Sequence, residues 1–352
     1  MFATQSFILK TSALRMRFTR KYVLSFFALL IFFQSSVSAQ LPNGNLSPAE
    51  TIKIFQIRPT AQNLAAARKI GFTLLGENKF EQAELVFSDV LRKFPADGLS
   101  LYGKAVGLFN LKRYAEAENA AAKADAIFER QKNSSALADV LVLSAIISAV
   151  KGNNAAAIEK LKKAVALMPS HFDANLSLGR AFFGNGNLID SIVAFRAALK
   201  QQPHSVKANF FLASALERNG ETAEALNIYR RLIKIAPDFV EGYLGLGVLL
   251  VKTGGADSSE GLENLQKAVE INPNLYEAQV TLGKFLLQQN NAGQAVGHLQ
   301  KAVELLSNNP EPHYQLLQAF RKLGKKSEAE AEQVIIKKIH ENHRGTSSAP
   351  PR

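Results

Sequence analysis

Phe172 to Ser205, FDANLSLGRAFFGNGNLIDSIVAFRAALKQQPHS, carries the pattern from which the fold is read. Apolar residues recur at helical spacing on both sides of Gly186: Leu178 and Phe182 before it, Ile192, Phe195 and Leu199 after it. Glycine suits a turn because it reaches positive φ without a steric penalty. Pro203 closes the second helical stretch, since proline lacks an N–H and its ring clashes with the preceding turn. The stretch predicts two helices of about 14 residues, each about 21 Å long, joined by a tight turn.

The same punctuation recurs along the chain. Pro169, Pro203 and Pro237 are 34 residues apart, Pro273 follows after 36, and Pro95 precedes Pro169 by 74. Gly152, Gly186, Gly220 and Gly254 keep the 34-residue step, with Gly324 beyond them. Units begin near Leu64, Gly98, Ala138, Phe172, Val206, Val240, Tyr276 and Pro310. Their eighth place is small (Gly71, Ala105, Ala145, Gly179, Ala213, Gly247, Gly283), with Leu317 the exception. Their twentieth place is small throughout, from Ala83 to Ala329. A period of this length marks stacked supersecondary units rather than a single compact core.

The 34-residue step, the Leu178-Gly179 pair, the small eighth and twentieth places and the closing proline resemble the tetratricopeptide repeat. The resemblance covers residues 64–340. It implies an all-α, right-handed superhelical solenoid of about eight helix-turn-helix units. The eighth and twentieth places are expected to face each other inside each hairpin, with Leu178, Leu212, Leu246 and Leu282 filling the seams. Three departures stand out. The second unit carries six extra residues, expected as a longer second helix and a loop at Asn133-Ser134-Ser135. It also holds Lys104 where leucine is usual, expected to loosen the first two units from the rest. The sixth unit has two extra residues, with Asp257 to Glu260 reading as a capping box. The last unit ends in a polar helix, a solvating cap of the kind solenoids require.

Outside the array lie residues 1–39, a leader at 40–63 and a tail at 341–352, expected to be disordered. Pro42, Gly44 and Pro48 argue against helix early in the leader. Residues 1–39 hold five basic residues (Lys10, Arg15, Arg17, Arg20, Lys21) and no acid, then the apolar run Val23 to Phe33, then Val37-Ser38-Ala39. This is the three-part pattern of a secretory signal peptide with cleavage after Ala39. An uncleaved anchor is the alternative and would be the only membrane contact. Both place the rest of the chain outside the cytoplasm, periplasmic or extracellular in a bacterium. The formal charge of +12 owes five of its 42 basic residues to this segment, against 30 acidic residues overall. Much of the excess therefore says nothing about nucleic acid, which export also disfavours. The absence of cysteine excludes disulfides, thiolate metal sites and a cysteine nucleophile.

Beyond the array too few residues remain for a catalytic domain. No phosphate loop or nucleophile elbow is present, no cofactor or metal is expected, and His340-Glu341-Asn342-His343 is one residue short of the zinc-protease spacing. The sequence predicts a non-enzyme whose function is a surface. The family resemblance implies that the first helices line a concave, ligand-binding groove. Carried over unit by unit, its candidate residues are Arg180 and Phe183; Phe210, Ser214, Glu217 and Arg218; Lys252; Lys284 and Gln288; and Tyr314, Gln318, Arg321 and Lys322. The middle is aromatic with arginine and suits peptide side chains. The carboxyl-terminal end is basic and suits an acidic segment. Either set could instead be seam packing or a solvated face. Family members that grip the acidic tails of cytosolic chaperones carry a lysine–asparagine clamp; the matching places here are Val142, Ile146, Leu176 and Arg180. The leading reading is an exported scaffold that binds a protein or peptide. The alternative is a structural part of an envelope assembly for polysaccharide export or pilus biogenesis. Oligomeric state is not written in the pattern.

Overall fold

A computed structural model describes residues 47–254 and 258–347. Among them are 17 helices and no strands. Helix α1 spans Pro48–Ile57. Eight antiparallel pairs follow: α2 (Ala61–Gly76) with α3 (Phe80–Lys93), α4 (Gly98–Asn110) with α5 (Tyr114–Arg130), and α6 (Ser134–Val150) with α7 (Asn154–Leu167). Then come α8 (Phe172–Asn185) with α9 (Leu188–Gln201), α10 (Val206–Asn219) with α11 (Thr222–Ile235), and α12 (Val240–Thr253) with α13 (Ser258–Ile271). The last pairs are α14 (Tyr276–Gln288) with α15 (Ala292–Leu305) and α16 (Pro310–Lys322) with α17 (Lys326–Ser347). The chain divides into two compact bodies, one ending at Ala174 and one beginning at Asn175. Each is an all-α stack of these hairpins.

The turn inside the hairpin closes with the same pair of backbone hydrogen bonds in seven units, while in the sixth Gly254 bonds back to the Leu250 carbonyl instead. The fifteenth residue has positive φ in every unit: Gly152, Gly186, Gly220, Gly254 and Gly324, but also Asn78 (60°), Lys112 (62°) and Asn290 (58°). The left-handed region costs a side-chain-bearing residue roughly 1–2 kcal/mol. Lys112→Gly is therefore expected to stabilise the protein, by about 1 kcal/mol or less once the looser unfolded chain is counted. A urea melt reads this directly; no gain would mean that the turn tolerates lysine without strain.

Packing inside the hairpins corrects the sequence expectation in one respect. The eighth place does not chiefly face the twentieth. It lies under the large residue at the twenty-fourth. A β-carbon at Gly179 would sit 2.6 Å from the Phe195 ring, and one at Gly283 would sit 2.6 Å from Leu299. The twentieth place contributes backbone contact: a β-carbon at Gly247 would also meet the Gly261 carbonyl at 3.0 Å. The twenty-fourth residue reaches further, to the sixth place of the next unit. Phe87 fills the space between Gly71 and Gly103, and Tyr229 lies against Gly245.

The sequence reading also missed a row of buried polar side chains at the fourth place. The Asn209 amide donates to the carbonyls of Pro203 (3.0 Å) and Ser205 (2.9 Å), and its oxygen accepts from Arg231 Nε (3.1 Å). Gln279 donates to the Pro273 carbonyl at 2.8 Å, and His313 Nε2 lies 3.1 Å from the Ser307 carbonyl. All three reach the carbonyl six residues earlier, in the loop that closes the preceding unit, where helical partners run out. Asn209→Ala would leave buried groups unpaired and is expected to cost about 1–3 kcal/mol. Thermal melts of Asn209→Ala and of the exposed Asn219→Ala compare the two sites; equal effects would remove the loop anchor.

Four local expectations change. Pro48 does not oppose helix: it occupies the first position of α1, where its missing N–H is not needed. Ser47 and Glu50 close a reciprocal capping box there, and Phe55 is buried with Ala67 and Val90. Pro42 and Gly44 lie outside the described residues. The six extra residues of the second unit do not form a loop at Asn133-Ser134-Ser135. They lengthen both α5 and α6 to 17 residues, with Asn133 capping α6 and Lys132 (φ 54°) repeating the hairpin turn. The added turns bury Ala136 and Leu137, so the insertion extends packing, and the division into bodies falls later, after the third unit. Lys104 turns back to α3, pairing with Glu84 (3.1 Å) and Ser88 (2.7 Å), and so ties the first two units together. Finally, α17 continues through residue 347, into the stretch expected as a disordered tail. Asp257 of the expected capping box and residues 1–39 of the signal segment lie outside the described residues.

Candidate functional site

In the second body the first helices of successive pairs touch: α10 with α12, α12 with α14, α14 with α16. Side chains at their ninth, twelfth and thirteenth places thereby share one face. The structure separates the candidate residues on that face into those held internally and those left available.

The basic end is mostly engaged. Lys284 pairs with Glu311 of the next unit. Lys322 donates to the Leu287 carbonyl (3.0 Å) and to Asn290 (2.9 Å). Tyr314 is hydrogen bonded to His340 Nε2 at 2.8 Å. Gln288, Gln318, Arg321 and Lys252 are exposed. The four cations grouped from the sequence thus do not act as one positive surface, because two are neutralised or tied to backbone oxygen.

The middle is rearranged. Phe210 is buried, 8% exposed, against Phe211 and Phe239 (both 5.6 Å between ring centres), and belongs to the seam. Its neighbour Phe211, which the sequence reading passed over, is half-buried and stacks on Phe195 at 5.7 Å. Where Phe87 and Tyr229 meet glycine at the sixth place of the next unit, Phe195 meets a second ring. That ring cannot be accommodated inside the stack, so it is displaced toward the face of the first helices. Phe183 packs edge-on against it at 6.4 Å.

Two arginines lie on these rings. The Arg180 guanidinium is 5.2 Å from the centre of Phe211, and that of Arg218 is 4.5 Å from the centre of Phe183. Arg218 also reaches the Phe183 carbonyl at 3.5 Å. No carboxylate forms an ion pair with Arg180 among the described residues, and burial pulls its guanidinium below the ordinary value. Beside them is a closed network. Ser214 donates to the Phe210 carbonyl (2.9 Å) and lies 3.3 Å from the Tyr229 hydroxyl, which donates to Glu217 at 3.1 Å. Burial raises the Glu217 carboxyl above the usual carboxylate range, opposed by the Tyr229 bond and by Lys252. Ser214 and Glu217 are therefore held by Tyr229, whereas Arg180, Phe183, Phe211 and Arg218 present charge and aromatic surface.

Paired helices at this period, with small residues under the large twenty-fourth, agree with a family model described as tetratricopeptide repeat, which matches residues 69–131, 149–192 and 189–238. Those residues are tetratricopeptide repeats. Among solved structures the chain is similar to the C-terminal part of a TPR repeat-containing protein from Cytophaga hutchinsonii, with a TM-score of 0.55 and 17% identity. That match covers 71% of this chain and 99% of the other. The Cut9–Hcn1 heterotetramer of the APC/C gives a TM-score of 0.55 at 16% identity, over 77% of this chain and 52% of that one. YrrB, a TPR protein with an unusual peptide-binding site, matches half of this chain and 89% of its own at 18% identity and a TM-score of 0.44. At these identities the likeness shows the fold alone. No curated protein matches the sequence. Among the described residues of this repeat protein no helix is long and apolar enough to cross a membrane.

Proposed function

We propose that this repeat protein is an exported, non-enzymatic scaffold that holds a protein or peptide segment on the face formed by its first helices. One observation carries the reading. Phe211, Phe183, Arg180 and Arg218 form a half-exposed aromatic and cationic cluster on that face, while the serine, tyrosine and glutamate beside it are satisfied by one another. Rigid rings with guanidinium groups give contact area at small entropic cost, and residues of these types dominate binding energetics at protein interfaces. Export is supported by the basic, apolar and small-residue order of residues 10–39.

Peptides selected from a random displayed library are expected to bind the wild type and to lose binding to Phe183→Ala. Binding should persist in Ile189→Ala, which alters an exposed apolar side chain of a second helix. The reverse pattern would move the site to the other face. For export, intact-mass measurement on the protein made in a bacterial host is expected to give a chain beginning at Gln40. Retention of residues 1–39 would make the protein membrane-anchored instead.

A further inference from the structure

One half-buried cation, Arg180, has no anionic partner among the described residues. Most cations of the array that are drawn out of water have a partner: Lys104 has Glu84, Lys160 has Ser148, Lys284 has Glu311 and Arg230 has Glu260. Arg180 is half-buried and has none of these; its described neighbour is the face of Phe211. A ring face attracts a cation but does not complete it, since the guanidinium keeps five N–H donors in a rigid fork. Burying such a group without an acceptor is costly, and that cost persists only where it serves something else. The fork matches the two oxygens of a carboxylate.

We infer that Arg180 is the anchoring point for an acidic side chain of a bound peptide, its carboxylate on the guanidinium and an adjoining apolar residue on Phe183 and Phe211. This rests on the reading of the first-helix face as a binding surface and names the ligand that the surface takes. The seat differs from the basic end expected from the sequence, where Lys284 and Lys322 are occupied within the protein. Aspartate or glutamate within the peptide fits better than a chain end. The walls beside Arg180 are rings, which suit the methylene stem of a side chain. Arg218, one turn further on the neighbouring helix and stacked on Phe183, adds positive potential on the same side.

The test uses the full chain and two random nonapeptide libraries, one with both ends blocked and one with free carboxyl termini. Wild type is expected to enrich, in the blocked library, Asp or Glu at one position next to Leu, Met or Phe. Arg180→Met keeps the stem without the charge. It should abolish the acidic preference, lower the affinity of the enriched peptide about tenfold or more, and leave the apolar preference in place. Arg180→Lys should keep a weaker acidic preference, because an ammonium lacks the planar fork. Lys200→Met, at an exposed cation of α9, should change nothing. The melting temperature of Arg180→Met should hold or rise, since a partly buried, unpaired charge has been removed; a structural cation would lower it, and a fall or failure to fold overturns the proposal. An acidic preference that survives in Arg180→Met, or apolar enrichment without it in wild type, overturns the anchor while leaving the binding face standing. Acidic selection only at free carboxyl termini overturns the side-chain assignment. A wild-type selection that enriches nothing overturns the binding face itself and the anchor with it.

Discussion

Phe87→Ala is expected to destabilise the first body by about 3–5 kcal/mol, the range for removing a buried phenylalanine. Phe87 is wholly buried and joins two units at once. β-carbons at Gly71 and Gly103 would come within 2.6 and 2.3 Å of its ring, so the two glycine walls of the cavity carry no side chain to fill it. Because stability in a stack is a sum over units and their interfaces, the damage should stay local. Hydrogen exchange should lose protection over residues 61–110 while α10 to α16 keep theirs. Gly103→Ala supplies the second half of a mutant cycle. In wild type its new methyl clashes with the Phe87 ring; in Phe87→Ala it enters empty space and should recover part of the loss. Protection lost evenly along the chain, or additive costs in the double variant, would contradict the assignment of Phe87 to a local joint.

Gly179→Leu is expected to cost about 3 kcal/mol, the upper part of the range for overpacking. The β-carbon alone would lie 2.6 Å from Phe195. That ring has little freedom to yield, because its other face is stacked on Phe211 at 5.7 Å with the planes 14° apart. Since Phe211 also carries Arg180, a displaced Phe195 should disturb peptide binding even where the chain still folds. Gly297→Leu is the control: no atom lies within 4 Å of its β-carbon position, and the exposed helix interior favours leucine over glycine. Urea melts of the two variants are expected to move in opposite directions. Equal shifts would remove Gly179 from the close contact between α8 and α9.

Much of the architecture is a property of the linear pattern. The 34-residue step, the glycine turns, the closing prolines and the small eighth place dictate hairpins that stack, because each unit exposes an apolar side that only the next unit covers. These features act within one hairpin or between consecutive ones, so spacing along the chain reports them. The helical leader was also written locally, in the Ser47 to Glu50 capping pattern, but the neighbouring prolines drew the reading the other way. A proline opposes a helix only past its first turn.

The binding face was legible only in outline. Arg180, Phe183 and Arg218 follow from the repeat position, yet Phe210 and Phe211 are adjacent on one helix, about 100° apart around it. Which of them reaches the surface depends on what the twenty-fourth residue of the preceding unit meets. Glycine at Gly103 and Gly245 lets Phe87 and Tyr229 enter; Phe211 instead stacks on Phe195 and is turned outward. Charge was equally undetermined, since Lys284 and Arg180 are both single cations in the sequence. Lys284 lies beside Glu311, 27 residues further along the chain, whereas Arg180 lies on the ring of Phe211. Distance along the chain fixes which units are neighbours; only tertiary packing brings a carboxylate to one cation and leaves the other to a ligand.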